Sequence, residues 1–272
     1  MKQIGIVGLG LIGGSLGLAL RGLGARVEVT GVDQRASTAD RARNSGAVDR
    51  AGTDLRLLAD CQLVVVAVPI SAIQRVLVDL EHLLPAQTLI TDVASVKEAV
   101  LEWAGDLKDP ARFLGGHPMT GKVEHGLDSS DPWLFSEAAW LFTPREGQDL
   151  GPFTPWLDLV RAIGSRPRLM PAEVHDRQAA LLSHLAFTVS SAYAATVSGS
   201  DTGMAGPGFR GMVRLASGDP DLYRDIAMTN RGPLLAAIDN FVMVLSSFRR
   251  GIDEGDQDQL RELFIRAGHV AG

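Results

Sequence analysis

Continuously apolar runs alternate with amphipathic segments up to Pro171, and this alternation predicts the fold class. Four runs are apolar throughout, as in parallel strands buried on both faces. Helical patterns such as SLGLALRGLG and AIQRVLVDLEHLL lie between them, and three shorter runs, RFLGGH, AWLFTP and RPRLMP, could extend the sheet. The four long runs are QIGIVG, VEVTGVD, LVVVAV and TLITDV. Strands alternating with helices predict βαβ units and a doubly wound α/β sheet.

After Pro171 the pattern becomes helical and contains no strand-like run. A Gly-rich break, SGSDTGMAGPGFRG, is followed by a long helical pattern, RGPLLAAIDNFVMVLSSFRRGI. In that helix a seam of apolar residues steps by four and three, which predicts packing against another helix, within the domain or across a dimer. The seam consists of Leu234, Ile238, Phe241, Leu245 and Phe248. We therefore predict an α/β domain over residues 1–171 and an all-helical domain over residues 172–272.

Composition narrows the class of protein. The 272 residues are 46% hydrophobic and 21% charged, with a net charge of −6, which argues against nucleic acid and anionic membranes as partners. No apolar run reaches about 18 residues, and the apolar N-terminus has glycines and no cleavage-like site, so we expect a cytoplasmic protein. The single cysteine, Cys61, lies in an apolar run and is predicted to be a core residue.

The first predicted strand leads into a G-x-G-x-x-G turn and a helix, as in a Rossmann-type dinucleotide-binding domain. A carboxylate twenty residues further on, at the end of the second strand, favours NAD over NADP because it binds ribose hydroxyls and repels a 2′-phosphate. Arg35 nearby could soften that preference, so NADP stays possible. FAD-binding domains carry the same glycine motif, and a glycine-rich turn that binds no ligand is the other alternative to a nicotinamide cofactor. The predicted cofactor-binding residues are Gly8, Gly10, Leu11, Ile12, Gly13 and Asp33.

Two polar stretches follow later strands and should lie at the carboxyl edge of the sheet, where such folds bind ligands. TDVASVK contains Ser95 and Lys97, and GGHPM contains His117. Hydride transfer from an alcohol to NAD⁺ needs a base, and neutral imidazole suits that role. We predict His117 as the base and Ser95 as the hydrogen-bond partner of His117 or of the substrate hydroxyl. Lys97 begins a helix and is expected to be solvated or part of the cap.

Two histidines and two arginines of the helical region are further candidates. His175 and His184 are nine residues apart, about 180° on a continuous α-helix, so they could not both face one site. His184 lies among leucines and is the better pocket candidate, whereas His175 is expected at the surface or in a cap. Arg210 and Arg214 share a face if helical, and either bind carboxylates or are ordinary surface residues. No cluster has metal-ligand spacing, so no metal site is predicted.

Taken together, these motifs resemble the prephenate/arogenate dehydrogenase family of tyrosine biosynthesis in their order and spacing. The motifs are GLGLIGGS, TDVASVK, GGHPMTG, the HD…SHL pair at 175–185, and GFRGMVRLASGDPDLYRDI followed by Asn230. The resemblance implies NAD(P)-dependent oxidative decarboxylation of prephenate or arogenate, which yields 4-hydroxyphenylpyruvate or tyrosine and CO₂. It also implies a homodimer that assembles through the helical domain.

The resemblance assigns roles to individual residues. His117 is implied as the base and Ser95 as its hydroxyl-positioning partner, while His184 lines the substrate pocket and Arg210 and Arg214 bind carboxylate. Many members of the family read SHLPH where this chain reads SHLAF, so Phe187 replaces a second pocket histidine. The usual HPMAGTE-like run is altered to HPMTGKV. The loss of a potential cation at Phe187 favours arogenate, or use of both substrates.

Two other classes of protein remain compatible with a nucleotide-binding domain and a helical domain. β-Hydroxyacid dehydrogenases and imine reductases have this organisation, but they usually carry a catalytic lysine or aspartate on the first long helix after the sheet. The corresponding segment here reads HDRQAALLSHLAF. A non-catalytic NAD-binding sensor is the other alternative.

Overall fold

The computed structural model describes residues 1–24, 27–122 and 124–271, and the strands within these ranges form a single sheet. The spatial order is β3-β2-β1-β4-β5-β6-β7-β8. The first six strands in this order are parallel, β7 is antiparallel to β6, and β8 is parallel to β7. The strands are β1 (Gln3–Val7), β2 (Glu28–Val32), β3 (Arg50–Gly52), β4 (Leu63–Val66), β5 (Leu89–Asp92), β6 (Phe113–Pro118), β7 (Ala139–Thr143) and β8 (Arg166–Leu169).

Among the described residues, five α-helices belong to the sheet domain, and the others lie C-terminal to it. The first five are α1 (Leu11–Gly22), α2 (Ala36–Asn44), α3 (Ile70–Leu83), α4 (Glu98–Ala104) and α5 (Thr154–Ala162). The others are α6 (Ala172–Ala179), α7 (Leu185–Thr196), α8 (Pro207–Val213), α9 (Pro220–Thr229), α10 (Arg231–Glu254) and α11 (Gln257–Ala271).

The central strands β1 and β4 are almost entirely apolar because both faces of the sheet are covered. Ile4, Ile6 and Val65 pack into one core, whereas Val64 and Val66 pack into the core on the opposite face. Since successive residues of a strand point to opposite faces, only a run without polar positions satisfies both layers. The prediction of a Rossmann-type doubly wound sheet followed by an all-helical region is confirmed, and the three shorter runs do extend the sheet as β6, β7 and β8.

The order of the strands places a ligand crevice at one edge of the sheet. β1 lies between β2 and β4, so the chain winds outwards from β1 in both directions. The loops after β1 and β4 therefore separate at their carboxyl ends, and ligands bind at this kind of switch point. β5 and β6, which lead to Ser95 and His117, end at the same edge.

The helical region begins directly after the sheet. β8 ends at Leu169 and α6 begins at Ala172, so the domain boundary after residue 171, which stays a prediction, falls in the connection. α11 packs back on α10, where the rings of Phe248 and Phe264 are 5.2 Å apart. Within the described part of the chain, no helix combines the length and apolar composition that crossing a membrane needs.

The chain from α6 to α7 is not a uniform helix. Residues Ala180–His184 form a π-helical turn between the two α-helices. A π turn takes up about one residue more than an α turn. Nine residues that include the π turn therefore rotate the chain as far around the helix axis as about eight α-helical residues. Two side chains nine residues apart are then separated by about 80° around the axis instead of about 180°. His175 and His184 can therefore both face the interior, because the condition of a continuous α-helix is not met.

Candidate active site

The glycine-rich turn after β1 has the backbone geometry that a dinucleotide needs. Gly8 has φ +92°, and a Cβ there would lie 2.5 Å from the carbonyl oxygen of Ala67. A Cβ on Gly13 would lie 1.9 Å from the carbonyl oxygen of Gly8, so this glycine allows α1 to pack against the turn. A Cβ on Gly10 would have no heavy atom of the described residues within 4 Å. The turn is therefore closed towards the protein and open at Gly10, where a pyrophosphate would approach the N-terminus of α1.

Asp33 follows β2 directly and is held beside the same turn. Its carboxylate accepts hydrogen bonds from the backbone N–H of Leu9, at 3.0 Å, and of Arg35, at 2.9 Å. The Arg35 guanidinium lies 3.8 Å from the carboxylate, and its side chain is otherwise exposed. The residues present fit an NAD cofactor, since a fixed carboxylate lies where the adenine ribose is bound in this fold.

A cavity of about 610 Å³ joins the glycine turn to the chemistry-bearing residues. Gly10, Leu11 and Ile12 line one side, Ser95 and His117 line the sheet edge, and residues 218–226 of the helical region close it. The structure therefore brings the predicted cofactor turn, the predicted base and the predicted serine to one cavity. His117 itself is 9% exposed, at the end of β6.

The hydrogen-bond partner of His117 is a second histidine. Nδ1 of His117 is 2.9 Å from Nε2 of His175, and Nδ1 of His175 is 2.7 Å from Oδ1 of Asp176. His175 is fully buried, so the expectation of a surface or capping residue is wrong. α6 packs against α4 and β7, and its inward-facing side chains, His175 among them, are buried there. Ser95 shares the cavity but not this hydrogen bond, and its role towards the substrate hydroxyl stays a prediction.

Asp176 connects the two regions of the protein. Its carboxylate accepts hydrogen bonds from the backbone N–H of Lys97, at 2.8 Å, and of Glu98, at 2.9 Å, and so caps α4. The carbonyl oxygen of Asp176 accepts a hydrogen bond from the side-chain amide of Asn230, at 2.9 Å. The same amide contacts Nδ1 of His184 at 3.1 Å. Asn230 therefore holds both histidine-bearing turns in place.

Lys97 is fully buried, so the expectation of a solvated side chain is wrong, although the residue does precede a helix. Its ammonium pairs with the carboxylate of Asp92 and donates to the carbonyl oxygen of Gly116 at 2.7 Å. Asp92 also accepts from the backbone N–H of Gly116 and of Ala94, each at 2.9 Å. Burial lowers the pKa of Lys97, and the Asp92 charge opposes that shift. The buried carboxylate at the end of β5 explains why a cation lies here.

The surroundings of His117 keep its ring neutral. Burial is the largest influence and lowers its pKa well below 6.5, and the neighbouring His175, Lys97 and His184 act in the same direction. Since Nδ1 is occupied by the contact with His175, Nε2 is the nitrogen left for the cavity. A neutral imidazole with a free nitrogen can accept a proton from a hydroxyl group.

A second cavity of about 400 Å³ lies behind the first, within the helical region. His184 and Phe187 line it, and Tyr223 lines both cavities. The rings of Phe187 and Tyr223 are 4.0 Å apart. His184 is 3% exposed, burial lowers its pKa to about 4, and its Nε2 has no hydrogen-bond partner among the described residues. The two predicted pocket residues are thus together, but one cavity away from His117.

The two predicted carboxylate-binding arginines are exposed and line neither cavity. Arg210 donates to the carbonyl oxygen of Ala205 at 2.9 Å, and Arg214 begins a 3₁₀ turn after α8. The arginine that does line both cavities is Arg224, which the sequence reasoning missed. Its guanidinium pairs with the carboxylates of Asp221 and Asp225. The DLYRDI motif contains Arg224 and is the feature of the sequence that could have identified it as a pocket residue. Carboxylate binding by Arg210 and Arg214 stays a prediction.

The comparisons with known proteins agree over nearly the whole chain. A model of the prephenate dehydrogenase nucleotide-binding domain matches residues 16–167, and one of the prephenate dehydrogenase dimerization domain matches residues 171–266. The cyclohexadienyl dehydrogenase of Zymomonas mobilis is 31% identical over 271 residues, 97% of this chain and 92% of that protein.

Two crystal structures of relatives superimpose on the chain. Arogenate dehydrogenase from Synechocystis is 32% identical with a TM-score of 0.85, over 99% of each chain. Prephenate dehydrogenase from Aquifex aeolicus, in complex with hydroxyphenyl propionate and NAD⁺, is 25% identical with a TM-score of 0.91, over 100% of this chain and 97% of that one. With both family models matched, the chain belongs to the prephenate dehydrogenase family of NAD-dependent oxidoreductases.

Proposed function

We propose that this enzyme oxidatively decarboxylates prephenate, arogenate or both with NAD⁺, forming 4-hydroxyphenylpyruvate or tyrosine and CO₂. The observation that carries the proposal is the single cavity shared by the open glycine turn at Gly10 and the neutral ring of His117. Relatives named prephenate, cyclohexadienyl and arogenate dehydrogenase support the choice of substrates. Membership of this family also makes a β-hydroxyacid dehydrogenase, an imine reductase or a non-catalytic sensor the weaker alternatives.

The chemistry follows from the arrangement at the end of β6. NAD⁺, when bound at the glycine turn, supplies the hydride acceptor. Nε2 of His117 takes the proton of the ring hydroxyl while hydride leaves the same carbon, and a carbonyl forms there. Ser95, on the same cavity, is proposed to hold that hydroxyl. The ring carboxylate then leaves as CO₂, and its electron pair passes through the ring to the carbonyl oxygen. That oxygen takes a proton back and becomes the phenol hydroxyl, so the ring becomes aromatic and the step is effectively irreversible.

The second cavity is the proposed place for the substrate side chain. The tilted rings of Phe187 and Tyr223 are in contact, Tyr223 lines both cavities, and His184 lines the second one with them. Phe187 removes the cation that a second pocket histidine would supply, and this supports arogenate, whose side chain carries an ammonium, or use of both substrates. The carboxylate partners of the substrate are proposed to be Arg210 and Arg214. Neither lines a cavity, but burial raises the pKa of Tyr223, which lines both, and the charge of Arg214 opposes that shift.

Purified protein should form NADH and CO₂ in equal amounts with prephenate or arogenate, and NAD⁺ should be used faster than NADP⁺. The Asp33 carboxylate beside the turn favours ribose hydroxyls over a 2′-phosphate. The measurement is the absorbance of reduced cofactor together with trapped CO₂, for each pair of substrate and cofactor. A 3-hydroxy acid serves as the control for the alternative enzyme class. Absence of reduced cofactor with both cyclohexadienols would overturn the proposal.

The enzyme is proposed to be a cytoplasmic homodimer that forms through its helical region. Met243 and Leu245 of α10 are 62% and 55% exposed, an unusual state for large apolar side chains in the middle of a helix. The matched family domain is described as a dimerization domain. Sedimentation should give twice the chain mass of 29.0 kDa, and Met243→Glu should shift the protein to monomer. A monomeric wild-type protein would contradict the dimer, and recovery of the activity outside the cytoplasmic fraction would contradict the location.

A further inference from the structure

Two buried side chains stand behind His117, on the side away from the cavity. His175 is fully buried and Asp176 is 1% exposed, and neither lines the cavity that holds His117. Nδ1 of His117, Nε2 of His175, Nδ1 of His175 and Oδ1 of Asp176 are joined in series by contacts of 2.9 and 2.7 Å. The pair therefore reaches the cavity through its neighbours, and its contact with the predicted base is the hydrogen bond to His117.

With His175 taken as a neutral ring, the hydrogen-bond partners decide where each proton of the pair lies. Both oxygens of Asp176 meet backbone N–H donors, those of Lys97 and Glu98, so the carboxylate is an acceptor. Nδ1 of His175 must then donate to Asp176, and Nε2 of a neutral His175 is left as an acceptor. Nδ1 of His117 must in turn donate to His175. The lone pair of His117 is consequently on Nε2, the nitrogen left for the cavity.

We propose that His175 and Asp176 are positioning residues that fix His117 in the tautomer able to act as a base. This proposal rests on the proposed function of the same cavity. When Nε2 of His117 takes the proton of the substrate hydroxyl, the resulting imidazolium keeps its Nδ1–H bond to His175. The proton stays on His117, and the Asp176 carboxylate balances the new charge through His175.

The pair also makes the base depend on the contact between the two regions of the protein. Asp176 belongs to α6 of the helical region, but its carboxylate caps α4 of the sheet domain. His117 belongs to β6 of the sheet. The tautomer is therefore fixed only when α6 is seated against α4, as it is in this structure.

Three replacements of His175 distinguish positioning from packing. His175→Phe keeps a ring but offers no acceptor, and we expect kcat to fall by about 10²-fold with unchanged NAD⁺ affinity, in the range for removal of a group that orients a catalytic histidine. His175→Gln places an amide oxygen near the former Nε2, so its kcat should be about tenfold above that of the Phe variant. His175→Asn reaches only the former Nδ1 position and should resemble the Phe variant.

The matched control is His82→Gln on the exposed side of α3, which should retain wild-type kcat. Two kinetic results would overturn the proposal: a His175→Phe variant with wild-type kcat, or a Gln variant no better than the Phe variant. The second result would assign His175 to packing alone. NAD⁺ titration of each variant, followed by intrinsic fluorescence, shows whether the nucleotide site has stayed intact.

The tautomer can be measured in the wild-type protein without any turnover. In protein labelled with ¹⁵N-histidine, the ring nitrogens of His117 and His175 should both report the Nδ1–H tautomer, with resonances assigned from the His117→Asn and His175→Gln variants. An Nε2–H tautomer of His117 would refute the proposal. If the tautomer is found but no NADH is formed with either substrate, the proposed function fails while the positioning role stands.

Discussion

Replacing His117 by asparagine should lower kcat by about 10²–10⁴-fold, the usual contribution of a positioned general base, while NAD⁺ binding is retained. Asparagine can occupy the end of β6 and keep a hydrogen bond towards His175, but it cannot accept the proton of the substrate hydroxyl. The glycine turn that holds the cofactor belongs to β1 and α1, so its geometry does not depend on this side chain. Steady-state kinetics with the preferred substrate, together with NAD⁺ titration, provide the measurement.

The control for that replacement is His269→Asn on the exposed face of α11, which is expected to keep the wild-type rate. A His117→Asn variant with a near-normal rate would remove His117 from the role of base. A variant that loses NAD⁺ binding as well as rate would mean that His117 supports the cofactor site instead of the chemistry.

The pH profile gives an independent check on the same residue. Burial lowers the pKa of His117 well below 6.5, and the charge of Lys97 adds to the shift. The base works as the neutral ring, which exists above its pKa and is lost as the pH falls through it. kcat/KM should therefore stay level as the pH is lowered through 6.5 and fall only under more acidic conditions. An acid limb centred at or above 6.5 would contradict this environment for His117.

The structural elements that could be predicted from the sequence are those that a local residue pattern determines. The central strands β1 and β4 had to be almost entirely apolar, and the turn at Gly8 and Gly13 had to lack side chains because a Cβ would meet backbone atoms. The position of His117 followed from the rule that strands of a parallel sheet end at a common edge. β3, in contrast, is only three residues long and reads RAG, so no periodicity marks it.

The parts of the site that could not be predicted depend on contacts between segments that are far apart in the sequence. His175 is 58 residues from His117, and nothing in the spacing of HD indicates that it meets that ring. The π turn at 180–184 also has no signature in the residues, yet it decides which way His184 faces. Phe187 and His184 line one cavity, but the division of the pocket into two cavities at Tyr223 is a property of the packed helices.

Lys97 shows how a local rule can fail for a physical reason. A lysine at the start of a helix is usually solvated, and the helix dipole disfavours a cation there. The rule fails because Asp92, five residues earlier, is buried at the end of β5 and requires a cation. The two charges are taken out of water together, and the ammonium also donates a hydrogen bond to the carbonyl oxygen of Gly116, next to His117.

Replacing Lys97 by methionine should lower the free energy of unfolding by about 3–5 kcal/mol, because it leaves the Asp92 carboxylate buried without its cation. Urea unfolding followed by tryptophan fluorescence measures this directly, since all four tryptophans lie between residues 103 and 156, in the domain that contains the pair. The loss should be accompanied by a lower kcat, as the strand end at Gly116 loses the hydrogen bond that fixes it beside His117.

Two further variants separate the buried charge from the loss of side-chain volume. Lys108→Met changes an exposed lysine of the same domain and should alter the free energy of unfolding by less than about 0.5 kcal/mol. Asp92→Asn combined with Lys97→Met removes both charges and should recover part of the stability lost in the single lysine variant, since the orphaned charge is the main cost. If Lys97→Met were as stable as the wild type, Asp92 would have to be satisfied by the N–H groups of Ala94 and Gly116 alone. If the double variant were no more stable than the single one, the defect would lie in packing and not in the unpaired carboxylate.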